Sequence, residues 1–308
     1  MIAVQGLTKV YGQRTALDAV SFEVPRGEIF GFVGPNGAGK TTTLRILAAL
    51  LEPTSGRAFV DGADVNKRPE LVHERLGYMP DFFGVYDQLT ATEYLDFYAA
   101  CYRIHRARRR KIAADLLELV GLTERSDQLV DTLSRGLKQR LCLARALVHD
   151  PAVLLLDEPA SGLDPRARVE MREILRELQK MGKTIIISSH ILPELTELCT
   201  MVGIIDHGRM RATGPVQEVI RQLTSGRRLR IKVLGQRDET VAILKSLPAI
   251  RTIDIANGSL DAQFEGDEST AASILQTLIA GGIKVSGFTQ IEGGLEDAFL
   301  RATGEDVA

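Results

Sequence analysis

The clearest chemistry in the sequence lies in a glycine-rich segment that ends in a lysine and two threonines. The segment consists of Gly34, Pro35, Asn36, Gly37, Ala38, Gly39, Lys40, Thr41 and Thr42. It follows an apolar stretch and opens a helical pattern, the context in which G-x-x-x-x-G-K-[ST] binds phosphate. Glycines let backbone N–H groups surround phosphate oxygens, and the helix N-terminus adds partial positive charge. We expect Lys40 to reach the β- and γ-phosphates, Thr41 to bind Mg²⁺, and Thr42 to lie near the α-phosphate.

A pair of carboxylates follows four aliphatic residues at 153–156. Asp157 would end a buried strand, where it can hold Mg²⁺ through water. Glu158 is then placed to orient or deprotonate an attacking water. A strand that runs into an acidic turn is common by itself. Together with Lys40, however, the two carboxylates indicate hydrolysis of ATP with Mg²⁺.

The elements that must position these groups alternate between aliphatic runs and helical patterns over the first two-thirds of the chain. Strand-like runs cover 28–33, 153–157, 184–188 and 202–205, and helical patterns cover 40–51, 92–102, 108–120, 137–148 and 165–180. This alternation predicts an α/β fold with a largely parallel sheet. Residues 2–24 instead predict antiparallel strands with a turn near Tyr11.

The pattern changes after a break at residues 224–227. Strands are predicted at 229–234, 250–256, 260–265 and 283–290, and helices at 239–247, 269–280 and 295–302. The order β–α–β–β–α–β suggests a small ferredoxin-like α+β domain, with a hairpin turn at Asn257-Gly258. We therefore expect two domains, 1–222 and 228–308.

Composition limits the function further. The chain has 308 residues, of which 44% are hydrophobic and 25% charged, and its formal net charge of -2 argues against a nucleic-acid partner. Its three scattered cysteines suggest reduced, mostly buried thiols in a cytosolic protein. The N-terminus lacks a signal-peptide pattern, and no window reaches the roughly 20 apolar residues of a membrane helix. A membrane role must therefore come through a partner.

Residues 133–140, LSRGLKQR, resemble the LSGGQ signature of ABC ATPases. In that family the signature binds the γ-phosphate of ATP held by the opposite subunit. The resemblance implies this role for Ser134, Arg135 and Gly136. Arg135 stands where the family has glycine, and its guanidinium either adds charge near phosphate or points to solvent. Leu137 replaces the glutamine of the signature.

Further family motifs follow in the expected order. Tyr11 resembles the aromatic residue that stacks on adenine. Asp164 ends a segment, Ser161–Asp164, that resembles the D-loop at the dimer interface. His190 resembles the switch histidine that contacts the γ-phosphate. A lone tyrosine or histidine is more often structural. The resemblance to the family therefore depends on all these motifs occurring in the family's order within one domain.

One position departs from the family, since Asp81 stands where a glutamine is usual. Asp81 either approaches Mg²⁺ through a water, as hard oxygen ligands can, or points toward the permease or solvent. The resemblance thus implies catalytic roles for Lys40, Glu158 and His190, and a metal site formed by Thr41, Asp157 and Asp81. The fold it implies is a P-loop NTPase core with an antiparallel β subdomain and a helical subdomain.

The closing residues 294–300, GLEDAFL, resemble the tail of the stand-alone ATPase subunits of ABC-2-type exporters. That resemblance implies an ATP-sandwich dimer with a second copy or close homologue, and separately encoded transmembrane permease subunits. The chain would then lie on the inner face of the cell membrane. A soluble ABC ATPase that acts on ribosomes or DNA is the alternative function, and a non-catalytic nucleotide sensor is a third. Against the first, translation-type relatives carry two such cassettes in one chain and DNA-repair-type relatives insert a long coiled coil between the two ATP motifs, whereas this sequence shows one cassette and no heptad tract from Lys40 to Asp157. Glu158 and His190 argue against the sensor.

A basic stretch lies between two helical patterns at 103–111. Such runs are usually solvated helix faces. Attraction to anionic lipid head groups is the alternative.

Overall fold

A computed structural model describes residues 1–81, 88–189, 192–223, 227–256, 259–291 and 295–303. The chain divides into two compact units, Met1–Val216 and Gln217–Ala308. The predicted hairpin turn at Asn257-Gly258, most of the predicted break and the first residue of the predicted tail lie outside the described residues.

The first unit contains an α/β core, an antiparallel sheet and a group of helices. Its described strands are β1 Ile2–Tyr11, β2 Arg14–Val24, β3 Ile29–Val33, β4 Ser55–Val60, β5 Ala63–Asp64, β6 Leu76–Met79, β7 Val153–Asp157, β8 Thr184–Ser189, β9 Met201–Asp206 and β10 Arg209–Pro215. Its described α-helices are α1 Lys40–Leu47, α2 Pro69–Arg75, α3 Ala91–Cys101, α4 Arg106–Leu119, α5 Arg135–Leu147, α6 Pro165–Lys180 and α7 Leu192–Leu198. Helix α8, Val216–Leu223, begins at the boundary between the units.

The core is a six-stranded sheet in the order β10-β9-β3-β8-β7-β6, parallel except for the edge strand β10. Every residue of β3, β7 and β8 is buried. Such uninterrupted apolar strands suit a parallel sheet that is covered on both faces. The predicted α/β core is therefore confirmed.

The antiparallel sheet has the order β2-β1-β4-β5. Strands β1 and β2 form a hairpin, with Tyr11 paired to Arg14 and Gly12 in the turn at φ +58°. On the inner side, the ring of Phe22 stacks on Phe30 of β3 at 5.1 Å between centroids. This aromatic contact joins the two sheets, and the hairpin places Tyr11 at the sheet end.

Helices α3, α4 and α5 pack together as the helical subdomain. A capping box starts α3, in which the Thr90 side chain accepts from Glu93 N–H and the Glu93 carboxylate accepts from Thr90 N–H. Residues 106–111 of the basic stretch form the mostly exposed first turns of α4, and Arg103 precedes the helix. Within it, Arg109 donates to the Ile104 carbonyl at 2.7 Å.

Helix α1 ends at Leu47, four residues before its predicted end. Ala49 adopts a left-handed conformation at φ +54°, and Leu50 N–H donates back to the Arg45 carbonyl at 2.9 Å. This pattern closes a helix, and here an alanine takes the place that glycine usually has. The prediction failed because no glycine or proline marks the end.

The second unit contains β11 Arg227–Val233, α9 Arg237–Ser246, β12 Ile250–Ala256, β13 Ser259–Phe264, α10 Glu268–Ala280, β14 Val285–Ile291 and α11 Leu295–Thr303. Its sheet is antiparallel with the order β12-β13-β11-β14. The core of the unit includes Leu229, Leu244, Phe264 and Leu278. It is thus a small α+β unit with its own hydrophobic core.

The three cysteines are free thiols in different surroundings. Cys142 on α5 and Cys199 after α7 are buried, whereas Cys101 at the end of α3 is exposed. Burial raises the pKa of Cys142 to about 11 and also raises the pKa of Cys199. Both buried thiols are therefore protonated at neutral pH.

Candidate nucleotide site

The glycine-rich segment forms a loop between β3 and α1. Gly39 precedes α1 at φ +114°, and a Cβ on it would lie 2.6 Å from Leu17 Cδ2 and 2.9 Å from the Ala16 carbonyl oxygen. Only glycine fits there. The first turn of α1 carries no acidic residue, so its N–H groups and positive dipole end favour an anion.

Lys40 lies almost fully buried at the start of α1. Its Nζ donates to the carbonyls of Gly34 at 2.6 Å and Pro35 at 3.3 Å, and lies 3.9 Å from Glu158 Oε1. Burial lowers the pKa of Lys40, while the charges of Glu158 and Asp157 raise it in partial compensation. The loop thus holds an ammonium group in place before any phosphate arrives.

Ser188 anchors the Asp157 carboxylate and the backbone of Glu158 at the end of β7. Asp157 and Ser188 are paired in the register of β7 and β8, and the Ser188 hydroxyl donates to Asp157 Oδ1 at 2.5 Å. Glu158 N–H lies 3.0 Å from the same Ser188 oxygen and 3.2 Å from the Ser188 carbonyl. This role of Ser188 was not predicted, because the adjacency of β7 and β8 is not visible in the sequence.

Glu158 adopts a left-handed backbone conformation at φ +52°. Non-glycine residues rarely do so, and such strain is concentrated at functional sites. The conformation turns the chain sharply at the strand end, beside Lys40.

A cavity of about 370 Å³ collects half of the predicted site residues. Its lining consists of Tyr11, Arg14, Ala16, Asn36, Gly37, Gly39, Lys40, Thr41, Thr42, Asp81 and Glu158. Of these, Arg14 and Ala16 were not anticipated from the sequence, although they belong to the strand paired with Tyr11. We name this the first cavity. Behind it, Gly34, Pro35 and Ala38 form the base of the loop, with Ala38 N–H bonded to the Pro35 carbonyl at 3.1 Å.

The Tyr11 ring lies at the rim of the first cavity and is 46% exposed. Lys9 Nζ lies over the ring, 5.1 Å from its centroid. Since a ring with a cation on one face can still stack on its other face, the geometry suits an aromatic base.

The predicted signature residues lie in a second cavity of about 420 Å³. Its lining consists of Ser134, Arg135, Gly136, Leu137, Arg140, Gly162, Leu163, Asp164, Arg166, Ala167 and Glu170. Two helix N-termini meet here, because Ser134 caps α5 and Asp164 caps α6. The lining residues of the two cavities do not overlap, so the chain separates its predicted site residues into two groups.

His190 lies outside the described residues. Among the described residues, no group of three or more His, Cys, Asp or Glu side chains is arranged to hold a metal. One acceptor nevertheless fits a metal-bound water: Asp157 Oδ2 is buried and has no hydrogen-bond partner in the described part of the chain.

None of the described helices is both long enough and apolar enough to cross a bilayer.

Comparisons with known proteins identify a matching family and several relatives of this chain. A family model described as ABC transporter matches residues 17–161. The linearmycin resistance ATP-binding protein LnrL of Bacillus subtilis (strain 168) is 33% identical over 306 residues, covering 99% of this chain and 98% of the relative. The daunorubicin/doxorubicin resistance ATP-binding protein DrrA of Streptomyces peucetius is 36% identical over 306 residues, covering 98% and 92%.

A solved structure is also similar to a large part of the chain. It is the dimeric post-hydrolysis state of the ATP-binding cassette MJ0796 bound to ADP and Pi, with a TM-score of 0.64 and 26% identity. The match covers 70% of this chain and 98% of that structure. Because the match leaves nearly a third of this chain uncovered, the ferredoxin-like character predicted for the C-terminal part stays a prediction.

Proposed function

Since this chain belongs to the ABC transporter family as an ATP-binding and ATP-hydrolysing subunit, we propose that two copies, or one copy and a close homologue, close around two ATP molecules. Each ATP would lie between the first cavity of one copy and the second cavity of the other. ATP-driven closure and hydrolysis would then drive a separate membrane permease.

The observation that carries this proposal is the separation of the two cavities. The first offers a lysine, a glycine-rich loop and a base-stacking tyrosine, whereas the second offers two helix N-termini and a serine. Each is one half of a phosphate site. A second copy supplies the missing half.

The roles of the first-cavity residues follow from their surroundings. Lys40 would transfer its hydrogen bonds from loop carbonyls to the β- and γ-phosphates. Glu158, held beside Lys40 by a strained backbone, would act as the general base on water. Tyr11 would stack on adenine. His190 would contact the γ-phosphate, a role that rests on the sequence resemblance alone.

Mg²⁺ would be held by the Thr41 hydroxyl and, through water, by Asp157, with Asp81 in the same cavity. When bound, the ion would neutralise charge on the phosphates. Because the described residues provide no dense metal-ligand cluster, the ion would arrive together with the nucleotide, whose phosphates complete its ligands.

The permease partner and the direction of transport are inferred from relatives. LnrL and DrrA are resistance ATP-binding proteins by name, and another relative, 33% identical over 309 residues, is a Nod factor export ATP-binding protein of Ralstonia nicotianae (strain ATCC BAA-1114 / GMI1000). We infer export through separately encoded permease subunits, with this chain peripheral to the inner face of the cell membrane.

We also propose that residues 1–222 form the ATP-binding domain and 228–308 a separable accessory domain, since the C-terminal unit has its own core. A chain truncated after residue 226 should bind ATP with wild-type affinity. A folded truncated chain that fails to bind ATP would contradict this division.

Complementation between two defective variants tests the sandwich. Lys40→Ala disables the first cavity, and Gly136→Asp places a carboxylate in the second, where it repels phosphate yet suits the helix N-terminus. Neither variant alone has a complete site. A mixed dimer has one intact site, formed by the loop of one variant and the signature of the other.

For this test, both variants also carry Glu158→Gln. Mixing them should then restore ATP-dependent dimers, each of which retains one ATP. Dimer mass and bound nucleotide are measured by light scattering and by nucleotide release. No gain on mixing, in a preparation whose Glu158→Gln parent does dimerise, would show that each site is complete within one chain.

A further inference from the structure

The guanidinium of Arg135 occupies the space where any side chain on Gly162 would begin. A Cβ on Gly162 would lie 2.6 Å from Arg135 Cζ and Nη1 and 3.0 Å from Nε. Carbon atoms do not approach other heavy atoms this closely, so any other residue at 162 displaces Arg135. The guanidinium thus lies against the turn Ser161–Asp164, while Arg135 as a whole is exposed and lines the second cavity.

A hydrogen bond fixes the same two elements deeper in the protein. Gln139 Nε2 donates to the Ser161 carbonyl at 3.0 Å, and Gln139 is 2% exposed. Gln139 follows Arg135 by four residues, so both side chains lie on one face of α5. Helix α5 and the turn Ser161–Asp164 are thus joined at two successive levels.

The consequence for binding lies in the second cavity. Its donors come from α5, capped by Ser134, and its opposite side from α6, capped by Asp164. Phosphate binding by fixed N–H groups depends on their placement before the anion arrives. An arginine at the first position of α5 would obstruct those groups unless its side chain is held aside, and Gly162 provides the space that holds it.

We propose that Gly162 is a positioning residue that seats the Arg135 guanidinium, and that this pair keeps the α5 N-terminus open and aligned for the phosphate of a nucleotide on a second copy. The proposal rests on the proposed sandwich of two copies. It explains how this chain carries arginine at a signature position. The arginine is accommodated because residue 162 is glycine.

The matched variants follow from the geometry. Gly162→Ala displaces the guanidinium from its place against the turn, and Gly162→Ala combined with Arg135→Ala removes the displaced side chain. Gly182→Ala is the control, because Gly182 has a similar left-handed φ of +86°, against +70° for Gly162, but nothing within 4 Å of its Cβ position. Any backbone penalty from alanine at φ > 0 persists in the double variant, so a rescue cannot come from relieving it.

The first measurement uses the unliganded full-length chain. In spectra of ¹⁵N-arginine-labelled protein, the Arg135 Nε–H signal is identified by its loss in Arg135→Ala. That signal should shift in Gly162→Ala and stay in place in Gly182→Ala. An unshifted signal would show that the two residues do not share this space and would overturn the proposal.

The second measurement uses the Glu158→Gln parent with Mg·ATP. Gly162→Ala should raise the ATP concentration for half-maximal dimer formation about tenfold, as for one to two lost hydrogen bonds. The double variant should return to within about threefold of Arg135→Ala, while ATP binding by monomers stays unchanged. Additive effects of the two substitutions would overturn the proposal. A parent that binds ATP but never dimerises, with the Arg135 signal shifted as expected, would overturn the sandwich and leave the pairing intact.

Discussion

Replacing Glu158 by glutamine removes the charge of the proposed general base while preserving its shape and its left-handed backbone. General-base catalysis contributes about 10²- to 10⁴-fold, so turnover should fall by at least about 10²-fold, or about 2.7 kcal/mol of barrier. Ser188 contacts only the backbone N–H of Glu158 in the bonds described above, so the turn itself should persist.

The same substitution also changes the electrostatics of the loop. At the observed 3.9 Å between Lys40 Nζ and Glu158 Oε1, a unit charge pair interacts by about 4 kcal/mol at an effective dielectric constant of about 20. Both side chains are largely buried, so solvent screens this pair little. Losing the carboxylate removes a repulsion toward the γ-phosphate, so ATP binding should be retained or tightened.

The loss also removes one of the charges that raise the pKa of Lys40. The pKa of Lys40 in the unliganded variant should therefore be lower than in the wild type. Since the charged form binds phosphate, ATP affinity falls as pH rises through this pKa. The fall should begin at lower pH in Glu158→Gln than in the wild type.

The assay combines phosphate release, equilibrium titration with a fluorescent ATP analogue from pH 6 to 10, and light scattering for the trapped dimer. Lys40→Ala, purified in parallel, serves as the blank for contaminating ATPases. Turnover of Glu158→Gln within about threefold of wild type, above that blank, would refute the assignment of Glu158 as the base.

Three further predictions concern neighbouring groups. Lys40→Ala should weaken ATP binding about 10²-fold, because two charge-assisted hydrogen bonds to phosphate are lost, and wild-type affinity in the same titration would contradict the loop assignment. Ser188→Ala should lower turnover at saturating ATP about tenfold with little change in ATP affinity, because Asp157 and the Glu158 backbone lose a common hydrogen-bond partner. A loss confined to ATP affinity would assign Ser188 to nucleotide binding instead. Asp81→Asn should raise the Mg²⁺ concentration for half-maximal activity if Asp81 serves the metal, and superimposable metal titrations would exclude that role.

The α/β core was predictable because its strands are buried on both faces. In β7, four aliphatic residues precede Asp157, and this local pattern already favours a buried strand, which contacts with the neighbouring strands then stabilise. Helix α6 begins and ends at its predicted residues because Asp164 and Pro165 form a strong start signal. Where such sequence signals are strong, they predict both the type of a secondary-structure element and the residues at which it begins and ends.

The parts that escaped prediction depend on contacts between distant segments. Short elements such as β5, Ala63–Asp64, and β6, Leu76–Met79, form only because neighbouring strands supply their hydrogen bonds. Ser188 becomes important only through the order of β7 and β8. The left-handed Glu158 has no local signal, because the strain is sustained by tertiary structure rather than by residue type.

The contrast among the three cysteines has a practical consequence for spectroscopy. A maleimide dye reacts with exposed thiolates, so Cys101 at the end of α3 should be labelled at neutral pH while buried Cys142 and Cys199 stay unmodified. In a dimer of two such chains, each molecule would carry one dye on its helical subdomain without any engineered cysteine. Energy transfer between the two dyes would then follow opening and closing in real time, with the native sequence intact.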